Sequence, residues 1–176
     1  MALEFLLSPR SIAVIGAGRE PGGVGRSVFD SLLSAGFPGE VWPVNPGADE
    51  IAGRPCFHDV PSLPAVPDLV VVAVPAKFVP SVVEACGKAG VAGAIVLSAG
   101  FKEAGAEGVA LEREIVRVAA SYGLRLLGPN CLGLIVPGNH LNASFAGSMP
   151  SEGAIAVITQ SGALGTAILD WARDSG

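Results

Sequence analysis

Short apolar segments alternate with longer amphipathic segments along most of the chain. The apolar segments predict buried strands at residues 11–16, 40–44, 68–74, 94–98, 124–127 and 134–136. Apolar residues repeat at helical spacing over residues 24–35, 78–89 and 107–122, which predicts three helices between strands. This repeated strand–helix–strand order predicts an α/β fold with a Rossmann-like, doubly wound parallel sheet.

A second unit is expected after the polar loop that ends near residue 150. Residues 154–158 form another apolar run and predict a strand, and residues 160–162 then open a predicted helix. No further strand follows them in the sequence. We therefore expect one domain over residues 1–150 and, over residues 151–176, the first strand and helix of a second, flavodoxin-like domain.

The chain is acidic, since its 176 residues carry a formal net charge of −5, and its basic residues are dispersed. We therefore expect neither nucleic acid nor an acidic membrane surface as a partner. No apolar run reaches the roughly 20 residues that span a bilayer, and Glu4 and Arg10 interrupt the apolar start, so no signal peptide is expected. The three cysteines are widely spaced and match no metal-ligand pattern, which favours a cytoplasmic protein without a metal.

The segments that follow the predicted strands are rich in glycine and proline and almost free of titratable side chains. They are GAGREPGGVG, NPG, VPAKF, SAGF and GPNCLG. In an open parallel sheet, ligands bind beyond the carboxyl ends of the strands, where these segments meet. Such segments let backbone N–H groups approach a ligand closely. They offer little for acid–base chemistry, so we expect binding there and no catalysis.

The first of these segments, residues 16–25, precedes a helix whose amino end favours a phosphate group. A tight strand–helix turn without a ligand is the structural alternative. A dinucleotide fingerprint needs G-x-G-x-x-G, but Pro21 stands at the third glycine position. Asn45 stands where an NAD site needs an acidic residue. An NAD(P)-binding redox or regulatory module is therefore the weaker alternative.

Two candidate nucleophiles have no base in a matching sequence context. Neither histidine is placed so as to pair with Cys131, and a buried cysteine is more often part of the core. Ser161 lies in a strand–turn–helix context like a nucleophile elbow, but Thr159 occupies the required glycine position. We expect no catalytic residue in this chain.

Several motifs follow one another in a fixed order along nearly the whole chain. They are SPRSIAVIGA, PGGVG, GFPGEVWPVNP, PDLVVVAVPA, GAIVLSAGF, RLLGPNCLG, LNASF and TQSGALGTAILDWA. This series resembles the coenzyme A-binding domain of the NDP-forming (ADP-forming) acyl-CoA synthetases, a family that includes the succinyl-CoA synthetase α subunit. The elements GPNC-x-G and SGAL, in that order, are its most specific parts.

The resemblance implies a coenzyme A site at the positions that match the family's motifs. Residues 22–25 correspond to the turn around the diphosphate, and residues 45–46 to the adenosine end. Residues 98–100 correspond to the pantetheine arm, and residues 130–131 to the thiol end. The full set is Gly16, Gly18, Arg19, Gly22, Gly23, Val24, Gly25, Asn45, Pro46, Pro75, Ala76, Lys77, Ser98, Ala99, Gly100, Asn130 and Cys131.

One position departs from the pattern of the family. Many relatives carry a lysine after the second strand, where it can meet the 3′-phosphate of the coenzyme, but residues 47–49 here are Gly, Ala and Asp. Arg19 and Lys77 are the candidates for this role, and each is equally explained as a solvated charge. The resemblance also implies that the turn of Gln160, Ser161 and Gly162 holds a phosphoryl group near a phosphohistidine, which has no counterpart in this sequence.

The resemblance implies the CoA-binding domain of an ADP-forming acyl-CoA synthetase, an acid–thiol ligase. This chain would supply coenzyme binding and would be inactive alone. Its partners would be coenzyme A and the remainder of the ligase or its β (ATP-grasp) subunit. The alternative parent is a protein acetyltransferase, in which the same module senses acyl-CoA. The apolar segment after residue 150 further predicts a homodimer.

Overall fold

A parallel five-stranded sheet lies at the centre of the structure, a computed structural model that describes residues 3–147 and 149–175. In chain order the strands are β1 (Ser11–Ile15), β2 (Glu40–Val44), β3 (Glu50–Ile51), β4 (Arg54–Pro55), β5 (Leu69–Val72), β6 (Gly93–Val96), β7 (Arg125–Leu127), β8 (Gly133–Val136) and β9 (Leu141–Ser144). The central sheet has the order β2-β1-β5-β6-β7, and every neighbouring pair in it is parallel. The predicted α/β class and parallel sheet are confirmed.

The α-helices are α1 (Glu4–Leu7), α2 (Val24–Ser34), α3 (Val79–Ala89), α4 (Ala106–Tyr122) and α5 (Gly162–Ser175). Short 3₁₀ turns lie at Val60–Ser62, Ala76–Phe78, Lys102–Ala104 and Pro137–Asn139. The three helices predicted between strands are present, each within one residue of its predicted ends. In the described part of the chain, no helix combines the length and the apolar character needed to cross a bilayer.

Successive side chains of the central strands face opposite layers, as the period of a β-strand requires. One face packs on α3 and α4 through Ala13, Val70, Ala94, Val83, Cys86, Ile115 and Ala119. The other face packs on α2 and the β8–β9 hairpin through Ile12, Val14, Leu69, Val71, Phe29, Leu32, Leu141 and Ala143. Both faces are therefore covered, and the sheet is doubly wound.

The strand order reverses at β1, which lies between β2 and β5. The connections that leave β1 and β5 run to opposite faces, since α2 packs on one layer and α3 on the other. In doubly wound sheets such a switch point opens a crevice at the carboxyl ends of the strands. The glycine-rich segments of the sequence follow the five strands of this sheet and therefore lie along its carboxyl edge.

An ion pair joins the amino ends of β1 and β5 at the opposite edge of the sheet. Arg10 donates from Nε to Asp68 Oδ2 at 3.1 Å and from Nη2 to Asp68 Oδ1 at 3.2 Å. The backbone N–H of Arg10 also donates to Asp68 Oδ2 at 2.8 Å. The guanidinium hydrogen bond is the main cause that lowers the pKa of the Asp68 carboxyl.

The polar loop expected before residue 150 contains a strand that the sequence analysis missed. Residues Leu141–Ser144 form β9, which pairs antiparallel with β8. All four residues are buried. The apolar pair Leu141 and Ala143 packs with α2, while Ser144 Oγ donates to Asn142 Oδ1 at 2.6 Å on the other side. Because this hydrogen bond satisfies the two polar side chains, a strand of only half-apolar composition can be buried.

The expected strand at residues 154–158 is wrong for this chain. The segment is not in a strand, and the side chains of Ile155 and Ile158 are 88% and 99% exposed. A strand needs a neighbour for its backbone hydrogen bonds, and no strand in the described residues offers one to this segment. The helix after it is confirmed as α5, whose N-terminal turn is held by Ser161 Oγ accepting from Leu164 N at 3.2 Å.

Candidate functional site at the carboxyl edge of the sheet

Two hydrogen bonds between loops join predicted site residues to neighbouring loops at the carboxyl edge. Asn45, after β2, donates from Nδ2 to the carbonyl of Ala17, after β1, at 2.7 Å. The N–H of Asn130, after β7, donates to the carbonyl of Ser98, after β6, at 3.0 Å. The four loops after these strands therefore form two cross-linked pairs along one edge.

Two glycines of the first loop allow α2 to begin directly against the sheet. Gly16 has φ +91°, and a Cβ there would overlap the carbonyl of Ala73 after β5. Gly25 is buried, and a Cβ there would overlap the carbonyl of Gly16. No other residue type fits at these positions without moving the backbone. The predicted role of Gly25 in phosphate binding is therefore accompanied by a packing role that sequence alone did not show.

The tip of the same loop is open. Gly22 and Gly23 are exposed, and a Cβ built on either would have no heavy atom within 4 Å. Gly23 is the N-cap of α2, and no side chain among the described residues caps this helix or places a carboxylate in its first turn. The first N–H groups of α2, beginning with the exposed Val24, therefore point to an open space that suits an anion.

Arg19 lies beside the turn after β2. The N–H of Gly47 donates to Asn45 Oδ1 at 2.8 Å, which closes a turn of the Asx type. A Cβ on Gly47 would be 4.0 Å from Arg19 Nη2, and the Arg19 side chain is exposed. Within the described residues, no acceptor pairs with its guanidinium. One exposed cation is thus placed where the sequence lacks the expected lysine.

The neighbouring Arg26 holds the backbone of this cation in place. Arg26 Nη1 donates to the carbonyl of Arg19 at 2.5 Å, and Arg26 Nε donates to Asp30 Oδ1 at 2.8 Å. Arg26 is mostly buried, and its positive charge is neutralised by the carboxylate of Asp30. The arrangement fixes the start of the Arg19 side chain and leaves its end exposed.

The turn after β5 approaches the turn after β6. Pro75 is exposed, and Ala76 lies 3.0 Å from the position of a Cβ on Gly100, which has φ +105°. Lys77 differs from Arg19, because its Nζ lies 4.9 Å from the centre of the Phe78 ring and the side chain lines a groove between α3 and α4. Of the two predicted cations, the structure places only Arg19 beside the β2 turn.

The end of the site near β7 contains a protonated thiol. Cys131 is half-buried, and its Sγ donates to the carbonyl of Val96 at 3.4 Å. Burial raises the pKa of this thiol, so it is not a thiolate at neutral pH. His140 contacts the carbonyl of Ala35 at 3.1 Å, and His58 contacts Asp49 at 3.2 Å. Neither hydrogen bond leads to Cys131.

The turn before α5 is exposed and closed by its own hydrogen bonds. Thr159 Oγ1 accepts from the N–H of Ser161 at 3.0 Å, and Gln160 and Gly162 are exposed. The first turn of α5 lies near the loop after β7, since a Cβ built on Gly165 would be 3.5 Å from Leu132 Cδ2. Among the described residues, no group of three His, Cys, Asp or Glu side chains is arranged to hold a metal ion.

A structural feature that the sequence analysis missed lies after β6. Glu103 Oε1 accepts from the backbone N–H of Gly100 at 2.6 Å and from that of Phe101 at 3.1 Å. The available signal was a glutamate three residues after a glycine, because a glutamate side chain at that spacing can reach back to a backbone N–H group. Glu103 lies just beyond the SAGF segment and holds the backbone at the end of that segment.

Comparison with known proteins gives the same assignment over nearly the whole chain. Residues 10–137 match the family described as CoA binding domain. The chain is 48% identical, over 99% of its length, to the ADP-forming acetate–CoA ligase I of Archaeoglobus fulgidus. It is 43% identical, over 97% of its length, to the α subunit of the ADP-forming acetate–CoA ligase I of Pyrococcus furiosus.

A solved structure agrees with these sequence relatives. The dinucleotide-forming acetyl-coenzyme A synthetase 1 of Ca. Korarchaeum cryptofilum, in complex with phosphate and ADP, matches 98% of this chain with a TM-score of 0.93 and 44% identity. The chain spans only 25% of the Archaeoglobus ligase, 38% of the Pyrococcus subunit and 37% of the Korarchaeum chain. With a family match over most of its length, a doubly wound sheet and the motifs of that family at the carboxyl edge, the chain belongs to the CoA-binding domains of the ADP-forming acyl-CoA synthetase family.

Proposed function

We propose that the chain binds coenzyme A at the carboxyl edge of its sheet, with the diphosphate on the first turn of α2. The observation that carries this proposal is the amino end of α2, which has free N–H groups, an exposed glycine N-cap and no acidic side chain in its first turn. A diphosphate supplies the negative charge and the acceptor oxygens that such a helix end lacks. The membership of the family supports coenzyme A as the molecule that carries this diphosphate.

The adenosine end of the coenzyme lies, in this proposal, by Asn45 and Pro46, with the 3′-phosphate on Arg19. A guanidinium can donate two parallel hydrogen bonds to a phosphate, which makes it a good replacement for a lysine. The position of Arg19 beside Gly47 supports this role. Lys77 is less suited, because its ammonium already lies over the ring of Phe78.

The pantetheine arm runs between the turns after β5 and β6, along Pro75, Ala76 and residues 98–100. Within the described residues, the N–H groups of Ser98 and Ala99 have no acceptor, so they can bind an amide carbonyl of the arm. The thiol end lies by Asn130 and Cys131, where Cys131 supplies shape and no nucleophile. Gly16, Gly18 and Gly25 allow the backbone to approach the ligand.

The whole protein is, in this proposal, an ADP-forming acid–thiol ligase, of which residues 1–150 form the CoA-binding domain. Residues 151–176 begin a second domain, and the turn at Gln160, Ser161 and Gly162 holds a phosphoryl group. The names of the relatives, which are ADP-forming acetate–CoA ligases, support a ligase over an acetyltransferase. Their greater length supports the remainder of the ligase, or a second subunit, as the partner.

A calorimetric titration of the chain with coenzyme A and, in parallel, with NADH tests the proposed ligand. We expect coenzyme A and acetyl-CoA to bind and to raise the melting temperature, because a ligand at 100 times its Kd stabilises the folded state by about 2.7 kcal/mol. NADH should produce neither heat nor stabilisation, because Asn45 replaces the acid that holds its ribose. Binding of NADH without binding of coenzyme A would overturn the proposal.

A further inference from the structure

In the loop after β6, the carboxylate of Glu103 accepts two backbone hydrogen bonds. Glu103 lies in the 3₁₀ turn Lys102–Ala104, and its Oε1 accepts from the N–H groups of Gly100 and Phe101 at 2.6 and 3.1 Å. The hydrogen bond from Gly100 is the largest cause that lowers the pKa of Glu103, so its carboxylate is charged at neutral pH. Hydrogen bonds to a charged acceptor are roughly twice as strong as neutral ones.

The backbone around this carboxylate is well anchored. Phe101 is fully buried, and its carbonyl accepts from the N–H of Ala104 at 2.8 Å. Gly108 in α4 packs so closely on Phe101 that a Cβ would overlap the Phe101 carbonyl. On the far side of the turn, the N–H of Lys102 donates to Glu112 Oε2 at 3.3 Å. The backbone around Glu103 is therefore fixed to α4 and the core.

The direction of the loop at the ligand edge depends on this carboxylate. Gly100 has φ +105°, a conformation in which its N–H turns toward Glu103 and its Cα lies against Ala76. With the N–H groups of Gly100 and Phe101 occupied, Ser98 and Ala99 keep the only unpaired N–H groups between residues 98 and 101 in the described structure. Glu103 therefore decides which N–H groups of this loop face a ligand.

We propose that Glu103 is a positioning residue for the pantetheine arm of coenzyme A. Its carboxylate holds the turn of residues 98–100 so that the N–H groups of Ser98 and Ala99 face the arm, while Glu103 itself does not touch the ligand. This inference rests on the proposed binding of coenzyme A and adds a residue that acts on one portion of the ligand only. The adenosine end lies on other loops, so its binding does not depend on Glu103.

Titrating Glu103 variants with two ligands tests this role. Coenzyme A contains the pantetheine arm, whereas adenosine 3′,5′-bisphosphate has the same nucleoside and 3′-phosphate without the arm. We expect Glu103→Ala to weaken the binding of coenzyme A roughly tenfold, as the loss of one or two charged hydrogen bonds implies. Its binding of adenosine 3′,5′-bisphosphate should stay within twofold. Glu103→Gln keeps an acceptor oxygen and should recover most of the affinity.

Glu107→Ala is the matched control. Glu107 is an exposed glutamate in the first turn of α4, four residues from Glu103, and the described structure shows no hydrogen bond to its side chain. This variant should bind both ligands within twofold of the parent chain. If Glu103→Ala does not fold, Glu103→Asp provides the same comparison, because its shorter side chain cannot reach both N–H groups.

Three outcomes would overturn the inference. Unchanged binding of coenzyme A by Glu103→Ala would show that the carboxylate does not position the loop. An equal loss for both ligands would show a general structural role. If the parent chain binds adenosine 3′,5′-bisphosphate but not coenzyme A, the proposed pantetheine site is refuted and the adenosine site is not. If the parent chain binds neither ligand, the proposed function itself is refuted.

Discussion

Gly23 and Gly25 are only two residues apart, but they lie in different surroundings. In the variant Gly23→Val, the new Cβ would lie in open space. The backbone of residue 23 has φ −78°, which valine adopts readily, so the fold should tolerate the change. The branched side chain would cover the first N–H groups of α2, and we expect coenzyme A binding to be lost. Circular dichroism and the melting temperature should match those of the parent chain.

Valine at Gly25 should act on the fold and not on the ligand alone. Its Cβ would overlap the carbonyl of Gly16, and overpacking of this kind costs at least about 1–3 kcal/mol of the free energy of unfolding. The two variants therefore form a matched pair in a chemical denaturation experiment. Tight coenzyme A binding by Gly23→Val would refute the assignment of the phosphate turn, and a fully stable Gly25→Val would refute its packing role.

Arg19 should discriminate coenzyme A from dephospho-coenzyme A, which lacks the 3′-phosphate. We expect the parent chain to bind dephospho-coenzyme A about tenfold more weakly, a difference of about 1.4 kcal/mol. Arg19→Ala should bind both ligands with nearly equal affinity, whereas Lys77→Ala should keep the preference, because Lys77 lies over the ring of Phe78. A preference that survives Arg19→Ala would transfer the role to another cation.

At the scale of elements, hydrophobic spacing predicts what the central sheet and its helices require. The strands β1 and β5 are buried on both faces, so their continuous apolar runs are visible in the sequence. β9 was missed because half of its residues are polar, and their burial depends on the hydrogen bond between Ser144 and Asn142. The prediction of a strand at residues 154–158 was wrong. An apolar run indicates that a segment can be buried in a sheet, but it does not indicate that a neighbouring strand is present to pair with it.

The segment after residue 150 should mediate association. Ile155, Ile158 and Trp171 are 88%, 99% and 71% exposed, and apolar surface of this kind favours burial against a partner. We expect the full chain to be a dimer in analytical ultracentrifugation. Truncation after Pro150 should give a monomer that binds coenzyme A within twofold.

Ile158→Asp in the full chain is the control for this truncation, because it places a charge on the exposed segment without removing α5. It should also shift the chain to a monomer. If the truncated chain unfolds or loses binding, residues 151–176 belong to the first domain. A monomeric full chain would contradict the dimer only.

The ion pair between Arg10 and Asp68 should make stability depend on pH. Because the folded pKa of Asp68 lies below its usual value of 3.8, its contribution is complete above that value and is lost as the pH falls through the folded pKa. Asp68→Asn should lower the melting temperature at pH 7 by no more than about 2–4 °C, since the pair is partly exposed. The melting temperatures of this variant and of the parent chain should converge as the pH falls below 3.8 and through the folded pKa of Asp68.

Glu84→Gln is the control for this pH experiment, since Glu84 and Lys88 form an exposed pair within one helix. This variant should lower the melting temperature less than Asp68→Asn does, because the pair of Glu84 and Lys88 does not join two separate elements. A difference in melting temperature between Asp68→Asn and the parent chain that stays constant as the pH falls from 7 through the acid range would show that the loss does not come from the charge.

At the scale of the whole molecule, the sequence predicts which segments lie at the carboxyl edge of the sheet better than it predicts how their side chains are placed. Glycine-rich segments at strand ends mark the edge because the topology of a parallel sheet brings them together. The choice between Arg19 and Lys77 as the proposed 3′-phosphate ligand depends on the direction of each side chain, which the sequence does not show. The proposed role of Glu103 needed the hydrogen bonds of its loop, because the spacing of Gly100 and Glu103 alone does not show that the side chain folds back.

The central claim is that coenzyme A binds with its diphosphate on the first turn of α2. The most direct measurement is a two-dimensional amide NMR titration of the chain with coenzyme A. The account predicts that the largest shifts come from the N–H groups of residues 22–26, with further shifts at Ser98 and Ala99. Shifts concentrated in the groove of Ser81, Glu84, Arg117 and Tyr122 between α3 and α4, or no shifts at millimolar coenzyme A, would contradict it.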